Sequence, residues 1–242
     1  ARLQASRGDL PGAVALLDSA LEKSPKLHDA LQLKGDMLAT NGDSAGAMVA
    51  YRKVLEVKPE YLPAHSAIIR MLLADNKLDE ASKQIDLLKE TAPNHPQTHY
   101  LQAMYAYQKK DYAAARDSVL LHLKFYPESP LGLQLAGLIE YDVKAYPQAE
   151  AYLLKALPRT PPLSITRRVL IASYLRDSQP GKALGILEPV LDKIDKDSNM
   201  LALAGQVYLQ NGQVDKAGPY FAKAAALDPK NAGKRTSLAM VN

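Results

Sequence analysis

Histidine and carboxylate side chains are the groups in this sequence best able to hold a metal or move a proton, and their spacing decides whether they do either. The 242 residues include five histidines and no cysteine. His95 and His99 are four apart, as a metal-binding pair on one helical face would be. His95, however, stands in the link Asn94-His95-Pro96, and no third ligand follows at a suitable spacing. No metal site is expected there. His122 falls on the packed face of a helix and is expected to be a half-buried core residue. No Gly-x-Ser-x-Gly, glycine-rich phosphate loop or paired-carboxylate motif occurs, so each Asp and Glu reads as helix surface. No catalytic residue and no cofactor is expected. The lack of cysteine removes disulfides, zinc-thiolate sites and a thiol nucleophile.

Composition narrows the partners. Thirty basic and 26 acidic residues leave a net charge of only +4, with the two signs interspersed. This indicates neither a nucleic-acid surface nor a polybasic membrane patch. Alanine and leucine dominate, which favours helix, and no apolar run approaches the roughly 18 residues that would span a bilayer. The opening Ala1-Arg2-Leu3-Gln4 has neither Met nor a signal sequence and reads as a cut end.

The elements that must position any site come from an internal repeat. Ala13, Ala47, Ala81, Ala115, Ala149, Ala183 and Ala217 are each 34 residues apart, without insertion or deletion. Twelve residues after each comes Pro25, Pro59, Pro93, Pro127, Pro161, Asp195 or Pro229. Four after each alanine lies Leu17, Tyr51, Ile85, Val119, Leu153, Leu187 or Phe221, and these offsets share one helical face. Turn signals such as Asn41-Gly42-Asp43, Asp75-Asn76-Lys77, Lys109-Lys110-Asp111 and Asn211-Gly212-Gln213 separate two helices in each unit. Pro63, Pro96 and Pro130 open first helices, where the missing N–H costs nothing. At the eighth position of the first helix, Gly35, Gly137 and Gly205 alternate with Ile69, Ala103 and Ile171. Glycine there predicts a close helix contact.

This pattern resembles the tetratricopeptide repeat (TPR) family across essentially the whole chain. The resemblance implies an all-α, right-handed superhelical solenoid of about seven antiparallel helix-turn-helix repeats. The units run 1-27 (truncated), 28-61, 62-95, 96-129, 130-163, 164-197 and 198-231, with 232-242 starting another. A single domain, 1-242, is expected, because stacked units bury their apolar faces against one another. The incomplete ends suggest a fragment of a longer repeat protein, or self-association through uncapped ends. The aromatic often found near the start of the first helix is replaced by Leu31, His65, His99, Leu133, Arg167 and Leu201. The sixth unit departs most, with Arg167 at that packed position, Pro189 within its second helix and Asp195 for the link proline. A kink is expected there.

The same resemblance implies that first helices line a concave groove, through positions 2, 5, 6, 9, 12 and 13 of each unit. Carried onto this sequence, those positions are occupied by Tyr100, Met104 and Tyr107 in the fourth unit and by Gln134, Leu138 and Tyr141 in the fifth. Arg168 and Arg176 follow in the sixth. Such a wall suits an extended protein or peptide segment with an acidic group, or a partner helix. Side chains filling gaps between first helices, or solvated arginines, remain the plainer alternative. The ninth positions, Asp36, Arg70, Met104, Leu138, Ala172 and Gln206, do not form the basic and amide set with which relatives grip chaperone C-termini. The strict spacing of 34 also argues against RNA-reading helical repeats.

The stretch from Ser164-Ile165-Thr166-Arg167-Arg168 through Tyr220-Phe221-Ala222-Lys223-Ala224 is similar to long bacterial TPR lipoproteins of exopolysaccharide and PEP-CTERM protein-sorting systems. That resemblance implies a lipid-anchored scaffold of the bacterial envelope, with no membrane span of its own in this segment. A cytoplasmic peptide-binding adaptor and the regulatory arm of an enzyme encoded outside this segment are the alternatives.

Overall fold

A computed structural model describes Ala1 and residues 9–233. The remnant of the opening helix at 2–8 and the start of the eighth unit at 234–242 lie outside the described residues. Among the described residues there are thirteen α-helices, two short 3₁₀ segments and no strand. The helix α1 (Leu10–Lys23) is the second helix of the truncated first unit. Six hairpins follow in the expected register. They are α2 (His28–Thr40) with α3 (Ser44–Val57), α4 (Leu62–Ala74) with α5 (Leu78–Thr91), and α6 (Pro96–Gln108) with α7 (Tyr112–Phe125). After them come α8 (Pro130–Asp142) with α9 (Tyr146–Ala156), α10 (Ile165–Arg176) with α11 (Pro180–Leu187), and α12 (Ser198–Gln210) with α13 (Val214–Leu227). No described helix is long and apolar enough to cross a membrane.

The repeat alanines are there because nothing larger fits: all seven are 0% exposed. Ideal Cβ atoms on Gly35, Gly137 and Gly205 would each lie 2.5 Å from the Tyr51, Leu153 or Phe221 side chain of the second helix in the same unit. Glycine at the eighth position is therefore the seat of the large residue four after the alanine. Each hairpin also turns by one device. Gly42, Asn76, Lys110, Lys144, Ser178 and Gly212 all have positive φ, between 56° and 84°. This left-handed residue lets the next N–H reach back five residues, as from Asp43 to the Leu38 carbonyl (2.9 Å) and from Gln179 to that of Tyr174 (2.8 Å). The orphan carbonyls at the helix end are thereby satisfied.

Contacts gather into two compact units, 1–122 and 123–242. The first buries Ile68, Ile69, Leu88 and Leu101 in its core; the second buries Leu153, Leu170, Ile171, Leu187, Met200 and Phe221. Burying one such side chain is worth about 1.5–3 kcal/mol.

The sixth unit differs from the expected kink. Its second helix stops at Leu187 after eight residues and continues as a 3₁₀ segment, Glu188–Lys193. Pro189 has no N–H for the Gly185 carbonyl, and its ring cannot follow α geometry. Arg167 fills the place of the family's aromatic by a different chemistry. Its guanidinium donates to the Ile186 carbonyl (2.5 Å) and the Pro162 carbonyl (2.7 Å), tying the irregular helix to α10. Asp195 accepts from Lys223 at 2.9 Å where other units carry proline. Two further prolines have effects that the repeat pattern does not signal. Pro158 follows the end of α9 in a 3₁₀ turn, and Pro219 lies inside α13, which stays α-helical.

Candidate functional site

The residues expected to line a groove fall in both compact units. In the first, α6 places Tyr100, Met104 and Tyr107 on one face by its three- and four-residue steps. Tyr100 is half-buried, with its ring 5.2 Å from that of His122 at a 47° tilt. Burial pushes its phenol pKa up, against the opposing charge of Arg70. Met104 packs on the apolar cluster beneath, and Tyr107 tilts against Tyr112 at 6.0 Å. His122 is a core residue, more deeply buried than the half-burial expected, and its Nδ1 meets the Pro96 carbonyl at 2.9 Å. Burial pushes its pKa down, partly offset by that hydrogen bond. His95 spends its ring as a cap, accepting from the Gln97 N–H at 3.1 Å. Among the described residues no three His, Cys, Asp or Glu stand close enough to hold a metal.

In the second unit, a hollow lies beside some of the expected residues. Successive first helices α8, α10 and α12 border a hollow of about 440 Å³. Two of the expected residues meet in it, Tyr141 and Arg176. Tyr141 is steadied by Tyr146, ring to ring at 5.7 Å. Ala172 leaves space between them, Leu175 and Leu209 supply apolar wall, and Gln206 and Gln210 add two amides. These last residues occupy positions 9, 12 and 13 of the sixth and seventh units. The register that picked Tyr141 and Arg176 therefore reaches them too, once extended by one repeat.

The other three expected residues of this unit do not line the hollow. Gln134 accepts from the Thr166 hydroxyl at 2.8 Å and so bridges α8 to α10. Leu138 is half-buried and lies outside the hollow's lining. Arg168 is half-buried; its Nη2 reaches the Leu163 carbonyl at 3.5 Å, and its Nε is enclosed without an acceptor.

A larger hollow of about 810 Å³ lies in the first unit among α1, α2 and α3. Two of its charged side chains are already paired, since Lys34 donates to Asp18 at 2.5 Å. Arg176, by contrast, is exposed and has no acidic or hydrogen-bonding partner among the described residues. An unspent guanidinium beside tyrosine, amides and leucine can hold a carboxylate-bearing chain.

Comparison with known proteins agrees with the repeat. The family profile of the second ARM domain of tetratricopeptide repeat protein 21 matches residues 10–232. Among solved structures, that of the APC/C hetero-tetramer Cut9–Hcn1 superposes with a TM-score of 0.83 at 15% identity, covering 97% of this chain and 46% of that one. Pseudomonas aeruginosa PilF gives 0.75 at 19%, covering 88% and 97%. YrrB, described as a TPR protein with an unusual peptide-binding site, gives 0.62 at 18%, covering 78% and 97%. Likeness at such identities carries the fold alone.

Proposed function

The chain belongs to the family of the tetratricopeptide repeat protein 21 second ARM domain, and from that premise we propose that it is a non-catalytic scaffold that holds a peptide segment of a partner protein. The contact surface is formed by the first helices of the second compact unit. One observation carries this reading: a hollow of about 440 Å³ in which Arg176, unpaired, stands beside Tyr141, Gln206 and Gln210 over apolar walls. Glutamine amides match the donors and acceptors of an extended backbone. YrrB, with its peptide-binding site, lends support as a structural neighbour.

Selection from a displayed random peptide library tests this. Selected peptides should bind the chain and lose at least about fivefold in affinity on Tyr141→Ala or Leu209→Ala, since each removes a contact of roughly 1 kcal/mol. Selection of nothing, or of peptides indifferent to both variants, sinks it.

The cellular setting belongs to the same proposal. The wording of the last two repeats supports a scaffold of the bacterial envelope serving polysaccharide or protein export. Fractionation of cells producing the complete protein should recover it with the envelope; recovery entirely in the cytosol favours the adaptor role instead.

A further inference from the structure

Phenylalanine occurs twice in this chain. Phe221 is sealed in the core, whereas Phe125, at the end of α7, is 54% exposed and adjoins Tyr126, which is 53% exposed. The repeat does not require an aromatic there, because Lys23, Thr91, Arg159 and Lys193 take the place of Phe125 in other units. With Pro127, Glu128 and Ser129, the two rings line a hollow of about 500 Å³. It shares no residue with the hollow at Tyr141 and Arg176. Leu131, also exposed, follows in the first turn of α8. The carboxylate and hydroxyl of this link are already bonded: Arg159 Nη1 donates to Glu128 at 2.7 Å, and Ser129 Oγ accepts from the Gly132 N–H at 3.2 Å. What the edge still offers is apolar surface and two cations. Lys124, beside Phe125, and Lys155, in the last turn of α9, are exposed and have no acidic partner among the described residues.

We infer that this edge docks on an anionic lipid bilayer, with Phe125, Tyr126 and Leu131 entering the interfacial layer while Lys124 and Lys155 meet headgroup phosphates. Aromatic rings settle at the headgroup level of a bilayer, and binding there grows with the apolar area inserted plus the attraction of cations to anionic lipid. Acyl chains need no hydrogen bond from the hollow, whereas an extended peptide would bury backbone groups that the bonded Glu128 and Ser129 side chains leave unmatched. A second copy of the chain is the poorer occupant on area: the two half-exposed rings and Leu131 offer roughly 300 Å², against about 800 Å² per partner in a stable protein interface. The cationic character is local, and the chain-wide balance of +4 does not reveal it.

Vesicles of mixed phosphatidylglycerol and phosphatidylcholine, offered to the whole chain, test this. The chain has no tryptophan, so Phe125→Trp puts a lone indole at the edge. Its emission should shift to the blue on adding the mixed vesicles and be quenched by brominated acyl chains. Cosedimentation of the unsubstituted chain should fall at least about fivefold on Phe125→Ser and about fivefold on each of Lys124→Gln and Lys155→Gln. The thermal melt should stay unchanged, since all three side chains are exposed. Vesicles of phosphatidylcholine alone should bind more weakly by at least the same factor. No cosedimentation, or cosedimentation indifferent to Phe125→Ser, overturns the inference, as does equal binding to the uncharged vesicles. A blue shift that grows with protein concentration and needs no vesicle assigns the edge to a second copy and overturns it too. Peptide holding at Tyr141 stands or falls separately, because none of these variants touches that hollow.

Discussion

Glycine at the eighth position of a repeat makes a prediction that the neighbouring repeats can themselves check. A Cβ on Gly137 would lie 2.5 Å from Leu153 Cγ, in a contact where Leu153 is 0% exposed. Gly137→Ala should therefore cost about 1–3 kcal/mol by overpacking, read from the urea midpoint. Leu153→Val in the same chain should recover part of that loss, because Ala103 and Val119 already form the smaller pair at the same places in the fourth unit. Ionisation offers a second handle at this scale. Glu150 is 8% exposed, and the Gln179 amide donates to both its carboxylate (3.5 Å) and that of Asp177. Burial first, then the negative charge of Asp177, raises its pKa, with Lys182 opposing. The folded state thus holds that proton more tightly than the unfolded chain. Stability from this group is full below its unfolded pKa and is lost as pH rises through the folded one. Tyr174, whose phenol is raised by burial and by Glu150, faces the same group. Glu150→Gln should raise the thermal midpoint near neutral pH, and the gain should shrink in acid below the carboxylate range. A gain that grows in acid would reverse the assignment.

At the scale of the element, the turn between paired helices follows from backbone conformation more than from composition. Asn41-Gly42, Lys109-Lys110-Asp111 and Asn211-Gly212 announce themselves by residue type, yet Lys144 and Ser178 adopt the same left-handed conformation without any such signal. Only the 34-residue spacing could have found them. A left-handed residue with a Cβ carries a penalty of about 1–2 kcal/mol, so Lys144→Gly should stabilise the chain by up to about 1 kcal/mol after the entropic cost of glycine. Gly212→Ala, where no heavy atom lies within 4 Å of the added Cβ, should lose about 1 kcal/mol from backbone alone. Urea midpoints of the two variants moving in opposite directions would establish the turn as the cause. The hairpins were legible because periodic alanine and proline are direct records of close packing and helix ends. The 3₁₀ segment at Glu188–Lys193 was less so: Pro189 signals disturbance, but whether a helix bends or tightens depends on what receives the freed carbonyls. Arg167 answers that only once its hydrogen bond to Ile186 is seen. The site was half legible for a related reason. Register puts Tyr141 and Arg176 on one surface, but whether a side chain there is spent, like Gln134 on Thr166, or open, depends on partners from the next repeat.

At the scale of the molecule, repetition makes stability a sum over neighbours, and the alanines give a way to measure how far a disturbance travels. Ala47 belongs to an apolar cluster of the first compact unit, Ala149 and Ala183 to one cluster of the second, and all three are 0% exposed. Leucine at any of them should cost about 1–3 kcal/mol by forcing paired helices apart. The Ala47 and Ala183 clusters share no residue, so Ala47→Leu and Ala183→Leu combined should add to within about 0.5 kcal/mol. Ala149 and Ala183 belong to one continuous apolar cluster that also holds Leu170 and Ile171. One shift can relieve or worsen the other, and their combination should depart from the sum by at least about 0.5 kcal/mol. Urea unfolding of the three single and two double variants, compared only where the slope is unchanged, reads both terms. Strong coupling of Ala47 with Ala183, beyond about 1 kcal/mol, would show that strain passes far along the chain; additivity in both pairs would show that it stops within a single hairpin.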